Sequence, residues 1–406
     1  MHRKLWNKDF ILLLQGSAVS TLGDLMYSVA IGYWVYEQTG STGLMGLMTS
    51  ISMFVTMFLS PFCGSIVDKC NRKWIIVGID VIQGLLMLGI GALAYRDALS
   101  VPVVLIAALV ASFGSVFYSP AVGTLMLDII PRDDMLRGQS LFASISSLIE
   151  VVGSAFSGAM VAFFGVPLIV VINGISNLYA AMSELFVTVP KTIQQGTKVT
   201  VRGVLRDSKS AVATIFSDPL LKLFIPSALI LNFLGAGPFS LILPFCLEKG
   251  FSVDTYGYLV FAYTVGGLLC VALLGIVKLS PKVSFWVMAL GFVGCVPMMT
   301  MAYLTKTFPV MCVFAVLGAF LNRAGNSVFG AALKLALPEE NRSAILGLMQ
   351  SASVGGSALS VVVYGLLGDV FPLYLVFAVG NAISIVPMLY LCFHNKMREF
   401  ILKHSE

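Results

Sequence analysis

The sequence predicts an all-α integral membrane protein with twelve transmembrane helices in two pseudo-symmetric six-helix bundles. Three observations predict it. Only 11% of the 406 residues are charged while 58% are hydrophobic, whereas a soluble domain carries roughly a quarter of charged residues. Most apolar runs exceed the about 20 residues that a helix needs to cross a bilayer core. The two halves of the chain also resemble each other locally.

Apolar runs bounded by charge, Pro or Gly fall near 9–36, 43–67, 74–95, 101–127, 137–164, 166–189, 219–247, 255–277, 283–304, 308–336, 343–367 and 372–393. Barrel strands are excluded, because they need only about 9–11 residues of alternating polarity. The basic start MHRKLWNKDF runs into an apolar segment that reaches Tyr36 with no small-residue cleavage site. It reads as a retained first helix and not as a secretory signal.

The longest gap, 190–218, divides the chain into an N-terminal bundle (1–190), a linker (191–218) and a C-terminal bundle with a tail (219–406). In the linker Val201, Val204, Leu205, Val212, Ile215 and Phe216 share a helical face while Arg202, Arg206 and Lys209 fall largely elsewhere. That pattern predicts an amphipathic helix on the inner membrane surface, and the tail after Phe393 follows it. LDIIPRDDMLRG after span 4 resembles LKLALPEENRSA after span 10, each with a Pro, paired acids and an Arg. With the N-terminus inside, cytoplasmic segments hold 21 Lys and Arg and the outer loops three (Arg96, Lys249, Lys306). This asymmetry predicts a plasma or inner membrane protein with both termini cytoplasmic.

The stretch CGSIVDKCNRKW, residues 63–74, packs one acid and three bases between two apolar spans. Read as Gly64, Asp68, Lys69, Arg72 and Lys73, it resembles the signature loop of the major facilitator superfamily, and the resemblance extends over essentially the whole chain. The stretches LLLQGSAVSTLGDLMYSVAIGYWVYEQTGS and IIPRDDMLRGQSLFASISSLIEVVG are similar to the bacterial macrolide-efflux branch of drug:proton antiporters. The resemblance implies that Asp68 approaches the start of span 11, that Arg72 pairs with an acid at the end of span 4, here Asp128, and that these contacts latch an inner gate. Lys69 and Lys73 suit the role of membrane anchors, and Gly64 that of a close helix approach. The second half keeps Gly275 and Lys282 but has Leu279 where the acid would fall, so the implied gate is asymmetric. In span 5, Gly153 and Gly158 of the antiporter pattern stand without its Pro.

An ionisable group near the bilayer centre costs about 2.5–3.5 kcal/mol or more, so each one calls for a reason. Asp24 lies half way along span 1 in a polar stripe with Ser17, Ser20, Thr21, Tyr27 and Ser28; Glu150 sits in span 5 among Ser146, Ser147, Ser154 and Ser157. Arg323 lies in span 10 between Asn322, Asn326 and Ser327. The expected roles are proton uptake and release by Asp24 or Glu150, with Arg323 pairing one of them; the alternative is a static ion pair or helix contact. Asp80 and Glu184, nearer the inner surface, are expected to pair with loop bases. Asn173 and Asn177 share a face as interhelical glue, and Asn232 with GAGP (235–238) marks a break in span 7.

Several function classes are excluded. The dipeptide Gly-Lys never occurs, which removes a phosphate loop and an ATP-driven pump. All three histidines (2, 394, 404) are terminal, and no metal-ligand helix or nucleophile elbow is present, so enzymatic chemistry and a cofactor are not expected. The seven cysteines are scattered through apolar runs and read as packing residues. What is left is gradient-driven transport of a small amphipathic substrate, with protons and membrane lipids as the other partners, no nucleic acid, and a monomer. A flippase for lysophospholipid or lipid-linked substrates is the alternative on the same architecture, and a non-transporting receptor a further one.

Overall fold

The structure, a computed structural model, describes residues 5–131, 134–188, 212–277, 280–337 and 342–395. Among them every regular element is a helix. The first four are α1 (Lys8–Thr39), α2 (Thr42–Lys69), α3 (Arg72–Tyr95) and α4 (Val101–Ile129). Met135–Leu185 is nominally one helix but carries a non-helical residue, Gly165, at φ 73° and ψ 161°. Only glycine occupies that region readily, and Pro167 just beyond it suits a helix's first turn. The segment is therefore two spans, α5 (135–164) and α6 (166–185).

The remaining helices are α7 (Leu221–Ser240), the short α8 (Ile242–Glu248), α9 (Val253–Ile276), α10 (Pro281–Leu304), α11 (Phe308–Ala336), α12 (Arg342–Gly368) and α13 (Leu373–Phe393). The expected break in span 7 falls at Leu241, between α7 and α8, three residues after Pro238. Eleven helices among the described residues are long and apolar enough to cross a membrane, and the one bent at Gly165 contributes two, giving twelve. Ile82, Leu148, Phe163, Ile276 and Phe393 are among many large apolar side chains on the outside. That inversion of the soluble pattern suits a surface whose solvent is lipid. Of the linker, residues 189–211 lie outside the described residues, as does the tail from 396; residues 212–217 are helical.

Packing gathers the chain into two compact units. One comprises Met1–Gly40, Ile51–Thr200 and Val253–Gly257, the other Ser41–Ser50, Val201–Ser252 and Tyr258–Glu406. In the first, α1 packs on α5 and α6, and α3 on α4 and α6; in the second, α7 packs on α12 and α13, and α10 on α11 and α13. The same pairing scheme thus occurs twice, which is the internal repeat expressed in helix contacts. Each unit has its own apolar core: Phe10, Leu13, Ile76, Leu125 and Ile129 centre the first, and Phe224, Met288, Phe292, Phe329 and Leu391 the second. Within the second unit the Asp369 carboxylate caps the start of α2, accepting from Gly43 N at 3.1 Å, Thr42 Oγ1 at 3.0 Å and Ser41 Oγ at 2.9 Å. A helix N-terminus favours such a negative charge.

The direction of α5 and α6 follows from their neighbours on α1. Gly138 lies by Leu5 and Gly153 by Leu22 and Leu25, so α5 runs with α1. Ser183 donates to the Leu12 carbonyl and Ser176 faces Gly23, so α6 runs against it. The chain reverses at Gly165 with a single residue between the two spans.

Candidate functional site

The polar stripe of α1 is set by how tightly that helix lies on α6. A Cβ on Gly16 would meet the Ala180 carbonyl at 3.4 Å, and one on Gly23 would come within 2.7 Å of Asn173 Oδ1. Small residues let the two backbones approach closely enough for side chains to bridge them. Gln15 Nε2 donates to Ser183 Oγ at 3.1 Å. Asn177 Nδ2 donates to Asn173 Oδ1 at 2.9 Å and points to Asp24 Oδ1 at 3.5 Å. Asp24 is exposed on its other side, and Tyr27, nearly one turn on, is half-buried. Asn173 and Asn177 therefore do join helices, and they also steady the mid-span carboxylate.

Glu150 on α5 and Arg323 on α11 are both exposed. Among the described residues neither has an ion-pair partner within 4 Å. Arg323 lies over α9, its Nε 3.6 Å from where a Cβ on Gly267 would sit. Asn326 Nδ2 donates to Asn322 Oδ1 at 3.1 Å, one turn apart. Asn232 on α7 accepts from Ser357 Oγ on α12 at 2.7 Å.

Inside the second unit, α7–α11 and α13 enclose a cavity of about 120 Å³. Its wall is mostly apolar, with Leu231, Phe239 and Met299 beside the polar groups of Tyr263, Asn322 and Asn381. The Asn381 amide is already committed, donating to the Val296 carbonyl at 2.8 Å and Thr300 Oγ1 at 2.9 Å. An apolar cavity of about 150 Å³ suffices for benzene, so this one suits an aromatic ring or a short hydrocarbon segment of a larger molecule.

At the α2–α3 turn, Arg72 opens α3 and pairs with Asp128 near the end of α4. Arg72 is almost buried at 8% exposure. Asn7, which caps α1 by accepting from Phe10 N, also donates to the Ile129 carbonyl at 2.9 Å. The ends of α1, α3 and α4 are thereby tied together. Lys73 holds its ammonium 5.8 Å from the Trp74 ring centre. The surroundings of Gly64 and the side chains of Asp68 and Lys69 lie outside the described residues.

Asp80 and Glu184 correct the expectation drawn from their positions in sequence. Among the described residues they reach no loop base. Asp80 on α3 is 2% exposed and Glu184 on α6 is 1% exposed, and their carboxyl groups lie within hydrogen-bonding reach of each other. Tyr118 of α4 donates to Glu184 Oε1 at 3.1 Å and lies 3.2 Å from Ser17 Oγ of α1. The cause is the α3–α6 seam. A Cβ on Gly84 would fall 2.7 Å from Leu178 Cγ and 3.0 Å from the Gly174 carbonyl, and this contact turns the acids inward. The signal was present as spacing: Asp80, Gly84 and Gly91 fall on one face of a helix.

Two repeats of packed apolar helices, with polar side chains at mid-span, define a multi-pass membrane carrier. The chain belongs to the major facilitator superfamily, whose family model matches residues 13–245 and 225–399. It is 23% identical over 186 residues to macrolide efflux protein A of Streptococcus pyogenes, covering 46% of this chain and 46% of that protein. It is 29% identical over 164 residues to the multidrug efflux pump Tap of Mycobacterium bovis, covering 38% of each. The chain thus matches less than half the length of these two relatives. A solved bacterial homolog of the human lysosomal transporter Spinster shares the fold, with a TM-score of 0.70 and 16% identity over 98% of this chain and 97% of that one. The family is one of membrane transporters and not of enzymes.

Proposed function

We propose that the protein is a secondary active exporter, coupling proton entry to the efflux of small amphipathic molecules by alternating access. The observation that carries this reading is Asp24, an acid half way along α1 that Asn177 holds on one side and that is open on the other. A carboxyl group that gains and loses a proton there switches a charge that costs several kcal/mol to keep in the membrane. Glu150 is the second candidate carrier. Tyr27, Asn232, Asn322, Arg323 and Asn326 are the polar groups offered to substrate. Similarity to a macrolide exporter and a multidrug pump supports efflux and amphipathic cargo. In this reading both termini are cytoplasmic, the chain works as a monomer, and the inner gate is latched by Asp68, Arg72 and Asp128, with Gly64, Lys69 and Lys73 at the same turn.

The test is flux in proteoliposomes under an imposed pH gradient, with a macrolide and a fluorescent dye as probes. Wild type moves the probe only with the gradient. Asp24→Asn removes a switchable charge worth about 2.5–3.5 kcal/mol, so gradient-driven flux falls roughly 100-fold with unchanged protein level. Flux without a gradient rejects proton coupling. The second reading, a flippase for lysophospholipid or lipid-linked substrates, draws on the apolar cavity of the second unit. Movement of labelled lysophospholipid between leaflets, with no export of drug or dye, would establish it instead.

A further inference from the structure

Two carboxyl groups packed against each other without a cation present a hydrogen-bonding problem. Ionised carboxylates only accept hydrogen bonds, yet Asp80 Oδ2 and Glu184 Oε2 are both buried with no donor. No Lys or Arg among the described residues lies within 4 Å of either group. From α4 the titratable neighbour is Tyr118, and from α1 it is Asp24, another acid. Among the described residues every such group facing the pair is thus an acid or a hydroxyl, and two adjacent buried negative charges repel strongly.

We propose that Asp80 and Glu184 hold one proton between them, and that the α3–α6 seam is therefore a proton-binding site distinct from Asp24. The proton supplies the missing donor: the protonated carboxyl donates to its ionised partner, and the pair carries a single negative charge. Tyr118 adds a second donor to Glu184 and keeps its own proton. Ser17 then serves as donor to Tyr118, so the hydrogen-bond chain runs from α1 through α4 to α6. When the proton leaves to bulk water, two negative charges face each other beside the close Gly84–Leu178 contact of α3 and α6. The repulsion acts on α6, which also carries Asn177, the neighbour of Asp24. The inference deepens the reading of the protein as a proton-driven carrier by naming which acids are loaded.

The experiment is infrared titration of the full-length protein in lipid nanodiscs, following the carbonyl stretch that only a protonated carboxyl shows. Wild type is expected to keep one such band at neutral pH, shifted in heavy water, and to lose it at alkaline pH. Asp80→Asn and Glu184→Gln should each abolish it, whereas Asp24→Asn should leave it. Tyr118→Phe should move its midpoint. Absence of the band from wild type at neutral pH overturns the proposal whatever the variants do, and so does a band that survives in both Asp80→Asn and Glu184→Gln. Dye efflux from everted vesicles with and without a protonophore tests the driving ion separately. Efflux that ignores the protonophore, alongside a band that follows the pair, rejects proton-driven export and supports the site.

Discussion

Arg72 and Asp128 meet at the ends of two helices, one almost buried and the other half-buried. Exposed pairs contribute at most about 1 kcal/mol, whereas breaking a buried one costs about 3–5 kcal/mol. Arg72→Ala is therefore expected to destabilise by about 2 kcal/mol, because it strands the Asp128 carboxylate beside the apolar ends of α1 and α4. Asp128→Ala should cost a similar amount, and the double variant less than the sum, measured by thermal denaturation in detergent. Resemblance to the superfamily made this contact legible from sequence, since the charged motif supplies Arg72 and the resemblance implies an acid partner at the end of span 4; the gate it is proposed to latch is a separate matter. Asp24 was legible for another reason: an acid in the middle of an apolar run has no inexpensive explanation. Asp80 and Glu184 were not. Their nearness to the inner surface suggested loop bases, and only the packing of α3 on α6 shows them turned toward each other, with no base within 4 Å among the described residues.

Helices α3 and α6 owe their contact to what is missing from them. Gly84 and Gly174 each leave room for the other backbone, and in lipid such close packing replaces the hydrophobic drive that holds soluble helices together. Gly84→Leu is expected to destabilise by roughly 1–3 kcal/mol through overpacking and to displace Glu184 from Asp80. Gly78→Leu on the same helix is the control, because nothing lies within 4 Å of a Cβ there; equal loss of thermal stability in both would contradict the seam's role. Apolar run lengths revealed most of these elements. The break in α7–α8 was also foreseen from GAGP, although where it falls depends on Leu241 alone taking a non-helical turn. Nothing in the sequence pointed to Asp369 as the cap of α2, since cap and helix are more than 300 residues apart.

For the molecule as a whole, the repeat is clearer in helix pairing than in sequence. The scheme of α1 with α5 and α6 recurs as α7 with α12 and α13, though only short stretches of the halves look alike. Orientation in the bilayer was read from charge, and one residue offers a direct check. Cys70 is exposed while the other six cysteines are buried or half-buried. With cytoplasmic termini, a membrane-impermeant maleimide should label Cys70 in everted vesicles and not in intact cells, and Cys70→Ser should abolish the labelling; the reverse sidedness would invert the topology. The reversal at Gly165 has its own practical outcome. A protease has no strand of backbone to thread there, and an inserted epitope would have to unwind a helix end to be displayed. Reporters for that face of the protein belong in the stretch between Arg96 and Ser100, where the chain is already out of helix.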